Sequence, residues 1–182
     1  KSPRHITHEK CLELTQNIPE TVTKVALVVD ADDALLEDIT ANGCIDMLQL
    51  QGQETPKRVK EIRQKTGLRI MKAVGLSKKK DLIKIEPYLN VVDQLLIDAS
   101  PPKGSVLPGG NGNTFDWSIL RGKKWSVPWI LAGGLHASNV KKAIDVTGAQ
   151  QVDVSSGVEY SPGLKDKRKI ASFIKNAKSR VS

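Results

Sequence analysis

The chain has 182 residues, 39% hydrophobic and 4% aromatic, and its 28 Lys+Arg against 20 Asp+Glu leave a formal net charge of +8. That apolar share excludes a disordered chain, and the length suits a single domain spanning residues 1–182. No apolar run reaches the roughly 20 residues of a membrane helix, no secretory signal is visible, and Cys11 and Cys44 are too few for a disulfide scaffold or a cysteine metal site, so a cytoplasmic protein without membrane contact is expected.

In chain order the pattern alternates. An opening helix is predicted near 8–18. Lys24–Asp30 (KVALVVD) is a short apolar run ending in an acid, followed by an amphipathic helix over 33–41. Ile45–Leu50 is a second run, and the helix from about Thr55 to Lys65 has Thr55 as N-cap and Pro56 at its first position. Arg69–Val74 is a third run, with a helix over 78–86. Gln94–Asp98 is a fourth, and a Pro/Gly-rich loop over 99–113 leads to a short helix near Asp116. Trp129–Ala132 is a fifth, and Ser138 is predicted to cap a helix over 139–147. Gln151–Val154 is the last run, before a helix over 166–179.

Strand–helix alternation means parallel strands with right-handed crossovers. Short runs rich in Val, Ile and Leu are what buried parallel strands look like. Two architectures fit: an open doubly wound sheet, or part of a (β/α)8 barrel. Six strands do not close a barrel, and 182 residues falls below the ~200 at which such barrels begin. Either the sheet is open, or a first strand–helix–strand is missing.

Both architectures place chemistry beyond the carboxyl ends of the strands. After the fifth run stand Gly133 and Gly134, and the sixth run leads through Asp153 into Ser155, Ser156 and Gly157. Glycines let backbone N–H groups approach an oxyanion, and serines add donors, so these two loops suit a phosphate. No GxGxxG or GxxxxGK[ST] occurs, which argues against dinucleotides and nucleoside triphosphates. Asp116 follows the glycine-rich loop. On local spacing a helix cap is its favoured reading. The alternative is an acid whose pKa Trp117 raises by desolvation. Asp98 is the weaker acid candidate, and Asp30 and Gln51 also stand at strand ends. His5, His8 and His136 have no metal-ligand spacing, and no metal or cofactor is expected. Cys11 and Cys44 read as small packing residues.

Two basic clusters supply much of the charge: Lys57 to Lys65, and Lys165 to Arg180. They read first as solvated helix faces. A nucleic-acid surface is the competing reading, weakened by the lack of interleaved aromatics for base stacking.

Several stretches occur together in order: Lys1-Ser2-Pro3-Arg4, Leu48-Gln49-Leu50-Gln51-Gly52, Gly109-Gly110-Asn111-Gly112 with Phe115-Asp116-Trp117, Gly133-Gly134-Leu135 with Asn139-Val140, and Asp153-Val154-Ser155-Ser156-Gly157-Val158-Glu159 followed by Gly163 and Lys165-Asp166. This set resembles phosphoribosylanthranilate isomerase, a (β/α)8 barrel of tryptophan biosynthesis. The resemblance implies an Amadori rearrangement of N-(5'-phosphoribosyl)anthranilate to the 1-deoxyribulose phosphate isomer. It implies Asp116 as the acid that protonates the ring oxygen, Arg4 on the anthranilate carboxylate, and phosphate and sugar contacts near Gly133, Gly134, Asp153, Ser155 and Ser156. The implied partner is a small phosphosugar, with no nucleic acid, and the protein is expected as a monomer or weak homodimer.

Two departures stand out. The family's base is a cysteine in a Lys-x-Cys-Gly segment, which does not occur in this sequence. The family also has His where this chain has Gln51. Compared with the family, the chain begins just after the second strand. An N-terminally incomplete barrel of about six strands is therefore expected, inactive alone for want of the base. The alternative is a non-catalytic barrel that binds nucleic acid or phosphate.

Overall fold

Five parallel strands pair in sequential order. They are β1 (Val25–Val28), β2 (Met47–Leu50), β3 (Arg69–Leu76), β4 (Gln94–Ala99) and β5 (Trp129–Leu131). The computed structural model describes residues 2–41, 43–100 and 114–179. Lys1, Arg180 and the glycine-rich stretch Gly109 to Gly112 lie outside them. An order that never reverses is that of a barrel wall, since a doubly wound sheet reverses at its switch point.

The helices are α1 (His8–Thr15), α2 (Asp33–Thr40), α3 (Pro56–Thr66), α4 (Val140–Thr147) and α5 (Lys167–Lys178). Thr55 caps α3 as predicted, accepting from Arg58 N, with Pro56 at the first turn and Gly67 closing the helix at φ 67°. None of these helices is long and apolar enough to cross a membrane.

Alternation along the strands separates two faces. Leu48, Leu50, Ile70, Val74, Leu95, Ile97 and Leu131 share a buried cluster with Leu36, Val59, Ile62, Val140 and Phe173 from the helices. The intervening Met47, Met71, Ala73, Leu96 and Ala132 form a separate cluster made by strand ends and strands alone. The second cluster is the inner face. On the edge strand β1, Val25 and Leu27 stand in register with Met47 and Gln49 of that inner face. They are exposed, Leu27 by 57%. Among the described residues β1 pairs only with β2.

Three expectations need correction. The sixth run joins the sheet by a single parallel bridge, Leu131 to Val152, rather than as a full strand. It is held by Leu131 N to Gln151 O at 3.0 Å and Asp153 N to Leu131 O at 2.8 Å. The helix expected over 78–86 is two 3-10 turns, Lys79–Lys84 and Glu86–Tyr88. Asp81 draws Ser77 N and Lys78 N into a tight start, and Pro87 disfavours an α conformation at Glu86. The N-cap of α4 is Asn139, not Ser138, whose hydroxyl pairs with His136 Nδ1 instead. A short antiparallel hairpin, β6 (Glu159–Ser161) and β7 (Leu164–Lys165), was not predicted.

Candidate active site

The inner-face parity that buries Leu96 carries on to Asp98 at the carboxyl end of β4. Asp98 Oδ1 accepts from Ala99 N at 2.8 Å, and Oδ2 accepts from Gln51 Nε2 at 3.1 Å. Gln51 Oε1 in turn accepts from Gln49 Nε2 at 2.8 Å. This chain links the ends of β2 and β4 across the mouth of the sheet. Burial raises the Asp98 carboxyl to about 6. The Asp153 charge adds to the rise, and the Ala99 and Gln51 hydrogen bonds oppose it. Asp153, just beyond the Val152 bridge, is also raised, by the protein crowded around its carboxyl and against the pull of Lys165, although the residue's surface is open to solvent.

Gly133 and Gly134 take φ of 89° and 60°, a turn open to glycine at little cost. A Cβ on Gly133 would stand 2.6 Å from Ala99 N and 3.2 Å from Asp98 Oδ1, so this backbone runs against the acid. Asn139 fixes the turn. Its Oδ1 accepts from His136 N at 2.8 Å, and its Nδ2 donates to Gly134 O at 2.9 Å. A Cβ on Gly157 would overlap Leu135 O, which locks the Ser155–Gly157 turn onto the glycine pair. The two predicted phosphate loops therefore meet beside Asp98.

Asp116 behaves differently. It is exposed and caps the 3-10 helix Trp117–Leu120, accepting from Ser118 N at 2.9 Å. Its hydrogen bonding with Ser118 holds its pKa below the usual carboxylate value. The expectation that Trp117 raises this pKa fails, because the Trp117 side chain packs against the core while the carboxylate faces solvent and a donor. The geometry matches the cap reading from spacing, and a capping carboxylate can also be the acid that the resemblance implies.

Arg4 is committed to a protein partner. Its Nε and Nη2 donate to the two oxygens of Glu159 at 2.8 and 2.7 Å. Glu159 was not anticipated as a site residue, and local sequence gives no signal for a partner 155 positions away. Lys165 Nζ also reaches Glu159 Oε1, at 2.9 Å.

Cys11 and Cys44 lie with Sγ atoms 3.8 Å apart, packed against the helix-covered core and at the other end of β2 from Gln51. Cations of the first basic cluster face carboxylates: Arg58 and Lys65 on Asp33, Arg63 on Asp93, Lys57 near Glu61. That face carries exposed and half-buried ion pairs.

Comparison with known proteins decides the family. A sequence model of N-(5'-phosphoribosyl)anthranilate (PRA) isomerase matches residues 1–176. The chain belongs to the PRA isomerase family. A PRA isomerase of Paramagnetospirillum magneticum is 54% identical over 177 residues, covering 97% of this chain and 82% of the relative. One from Cereibacter sphaeroides is 51% identical over 178 residues, covering 98% and 84%. The crystal structure of the Thermotoga maritima PRA isomerase superposes with a TM-score of 0.85 at 33% identity, covering 98% of this chain and 83% of that one. A PRA isomerase crystallised with reduced 1-(o-carboxyphenylamino)-1-deoxyribulose 5-phosphate superposes at 0.79 and 31% identity, covering 98% and 82%. The sheet described above is thus the PRA isomerase (β/α) barrel wall, and the protein is an isomerase of tryptophan biosynthesis.

Proposed function

We propose that this chain binds N-(5'-phosphoribosyl)anthranilate across the mouth formed by the ends of β2, β4 and β5, with Asp116, which the resemblance marks as the acid, delivering a proton to the furanose ring oxygen. The observation that supports the site is the seating of the Ser155–Gly157 turn on Leu135, which brings it against the Gly133–Gly134 turn at this mouth. The C1–O bond opens and the nitrogen lone pair forms the Schiff base. Transfer of the C2 proton to a base, a cysteine in the family within a Lys-x-Cys-Gly segment that these 182 residues do not include, then gives an enolamine, which tautomerises to the ketone.

The phosphate is assigned to Gly133, Gly134, Ser155 and Ser156, and the sugar hydroxyls to Asp153. Arg4, with Nε and Nη2 on Glu159, is assigned to the anthranilate carboxylate, a planar match for guanidinium. Asp116 caps its own segment as well. Residues 1–182 are read as one barrel domain in the cytoplasm, monomeric or weakly dimeric. A Thermotoga maritima PRA isomerase 32% identical to this chain is described as dimeric, with monomers generated from it.

The test is calorimetric titration with reduced 1-(o-carboxyphenylamino)-1-deoxyribulose 5-phosphate. Saturable binding, competed by inorganic phosphate and weakened in Asp153→Ala, is expected. Absence of binding would overturn the assignment. Turnover should fall at least a hundredfold in Asp116→Asn and less than tenfold in Asp98→Asn. The reverse ranking would make Asp98 the acid.

A further inference from the structure

Glu159 is buried, with its side chain only 4% exposed, yet three cations converge on this one residue. Arg4 binds both carboxylate oxygens as a fork. Lys165 Nζ donates to Oε1, and the same ammonium reaches Ser155 O at 3.0 Å and Ser155 Oγ at 3.4 Å. Lys169 Nζ donates to the Glu159 carbonyl at 2.7 Å. The arrangement holds Glu159 ionised, its pKa lowered to about 2 chiefly by Arg4.

The geometry also shows what the residue connects. Among the described residues, the long-range hydrogen bonds of segment 2–6 are the two from Arg4 to Glu159. The segment is otherwise seated by close approach: Gly163, at φ 86°, leaves room for Pro3 O where a Cβ would come within 2.7 Å. On the other side, Lys165 ties Glu159 to Ser155, in the turn assigned to the phosphate. One carboxylate therefore stands between the group proposed for the aryl carboxylate and the loop proposed for the phosphate.

We propose that Glu159 is a positioning residue for both ends of the substrate, fixing Arg4 directly and the Ser155 turn through Lys165. This rests on the ligand assignment above. It makes the two anionic ends of the ligand cooperative: an anion seated at one end steadies the ion cluster that serves the other. A fork of two charge-assisted bonds orients the guanidinium plane as well as holding it. A neutral amide in place of Glu159 keeps the volume but has one acceptor for two donors.

The test uses Glu159→Gln with three ligands: the reduced product analogue, its phenylamino counterpart lacking the carboxylate, and its counterpart lacking the phosphate. In the parent chain, removing the carboxylate from the ligand is expected to weaken binding strongly. In Glu159→Gln the full analogue should bind at least tenfold more weakly, and removing its carboxylate should then change affinity less than threefold. Lys165→Met should leave the carboxylate dependence intact and reduce the phosphate dependence by about tenfold, the scale of one hydrogen bond to a charged group. This second variant alters a half-exposed side chain, so it carries the test if Glu159→Gln does not fold. Equal weakening of all three ligands in Glu159→Gln would mark a merely structural role and overturn the proposal, as would unchanged binding in both variants. Failure of the parent chain to bind the full analogue overturns the ligand assignment itself, and this inference with it.

Discussion

Asp98→Asn is expected to stabilise the fold at neutral pH. The parent carboxyl has a folded pKa of about 6 against 3.8 for an unperturbed Asp. A carboxyl raised in the folded state binds more protons there than in the unfolded chain, so stability falls as pH climbs from about 4 through 6 and stays low above. At pH 7.5 that difference costs about 3 kcal/mol at 1.36 kcal/mol per unit. Asparagine removes this ionisation cost. Its oxygen still accepts from Ala99 N, but its amide nitrogen meets the Gln51 donor, and Gln51 and Gln49 must reorient together. About 1 kcal/mol is assigned to that rearrangement, leaving a net gain of about 2 kcal/mol. Urea denaturation reads it as a midpoint shift of about 1 M at a typical slope. Repeated at pH 4, close to the unperturbed value of 3.8, little of the ionisation cost remains and the gain should vanish. A variant less stable than the parent at pH 7.5, or a difference that does not vary with pH, would refute the reasoning. Such a result would mean that the carboxylate is solvated or paired at the mouth rather than stranded there.

Lys72 is buried with Glu54 at 3.1 Å and also donates to Leu50 O, Gly52 O and Ala73 O. Lys72→Met strands the Glu54 carboxylate, although Asp30 N and Gly52 N still donate to it. A loss of about 3 kcal/mol is expected, read in thermal melts as roughly 10 °C; a shift under 3 °C would show that the two N–H donors suffice. Gly157→Ala places a methyl group on Leu135 O. The Ser155 turn should shift, and competition by inorganic phosphate should weaken at least tenfold in titration, whereas unchanged competition would remove that turn from the phosphate site. The 3.8 Å between the Cys11 and Cys44 sulfurs predicts that diamide joins them, with loss of two hydrogens by intact mass and a stability gain of about 3 kcal/mol. Two thiols that remain alkylatable after treatment would refute this pairing.

Much of the site was legible because a parallel strand has a period of two and its chemistry sits at one end. Gln51, Asp98 and Asp153 are all strand-end residues of inward parity, and Gly133 and Gly134 are a turn only glycine adopts cheaply. The surroundings of the two acids were legible only for one. Both are an aspartate next to apolar residues; the Ser118 cap of Asp116 is local and readable, whereas Gln51 and Asp153 reach Asp98 from distant segments. The same limit hid Glu159, whose role depends on an arginine at the far end of the chain. The 3-10 turns over 79–88 escaped because a helical period does not register the local pull of Asp81 on Ser77.

The sequential strand order gives the chain a simple wiring: each strand pairs with the next one along the sequence, so most closures are short. The Arg4–Glu159 fork is the exception, closing a span of 155 residues. Local pairings close early and distant ones wait until the chain between is compact. The guanidinium is therefore expected to reach its seat only after the strands have paired, which makes the fork a property of the completed fold alone.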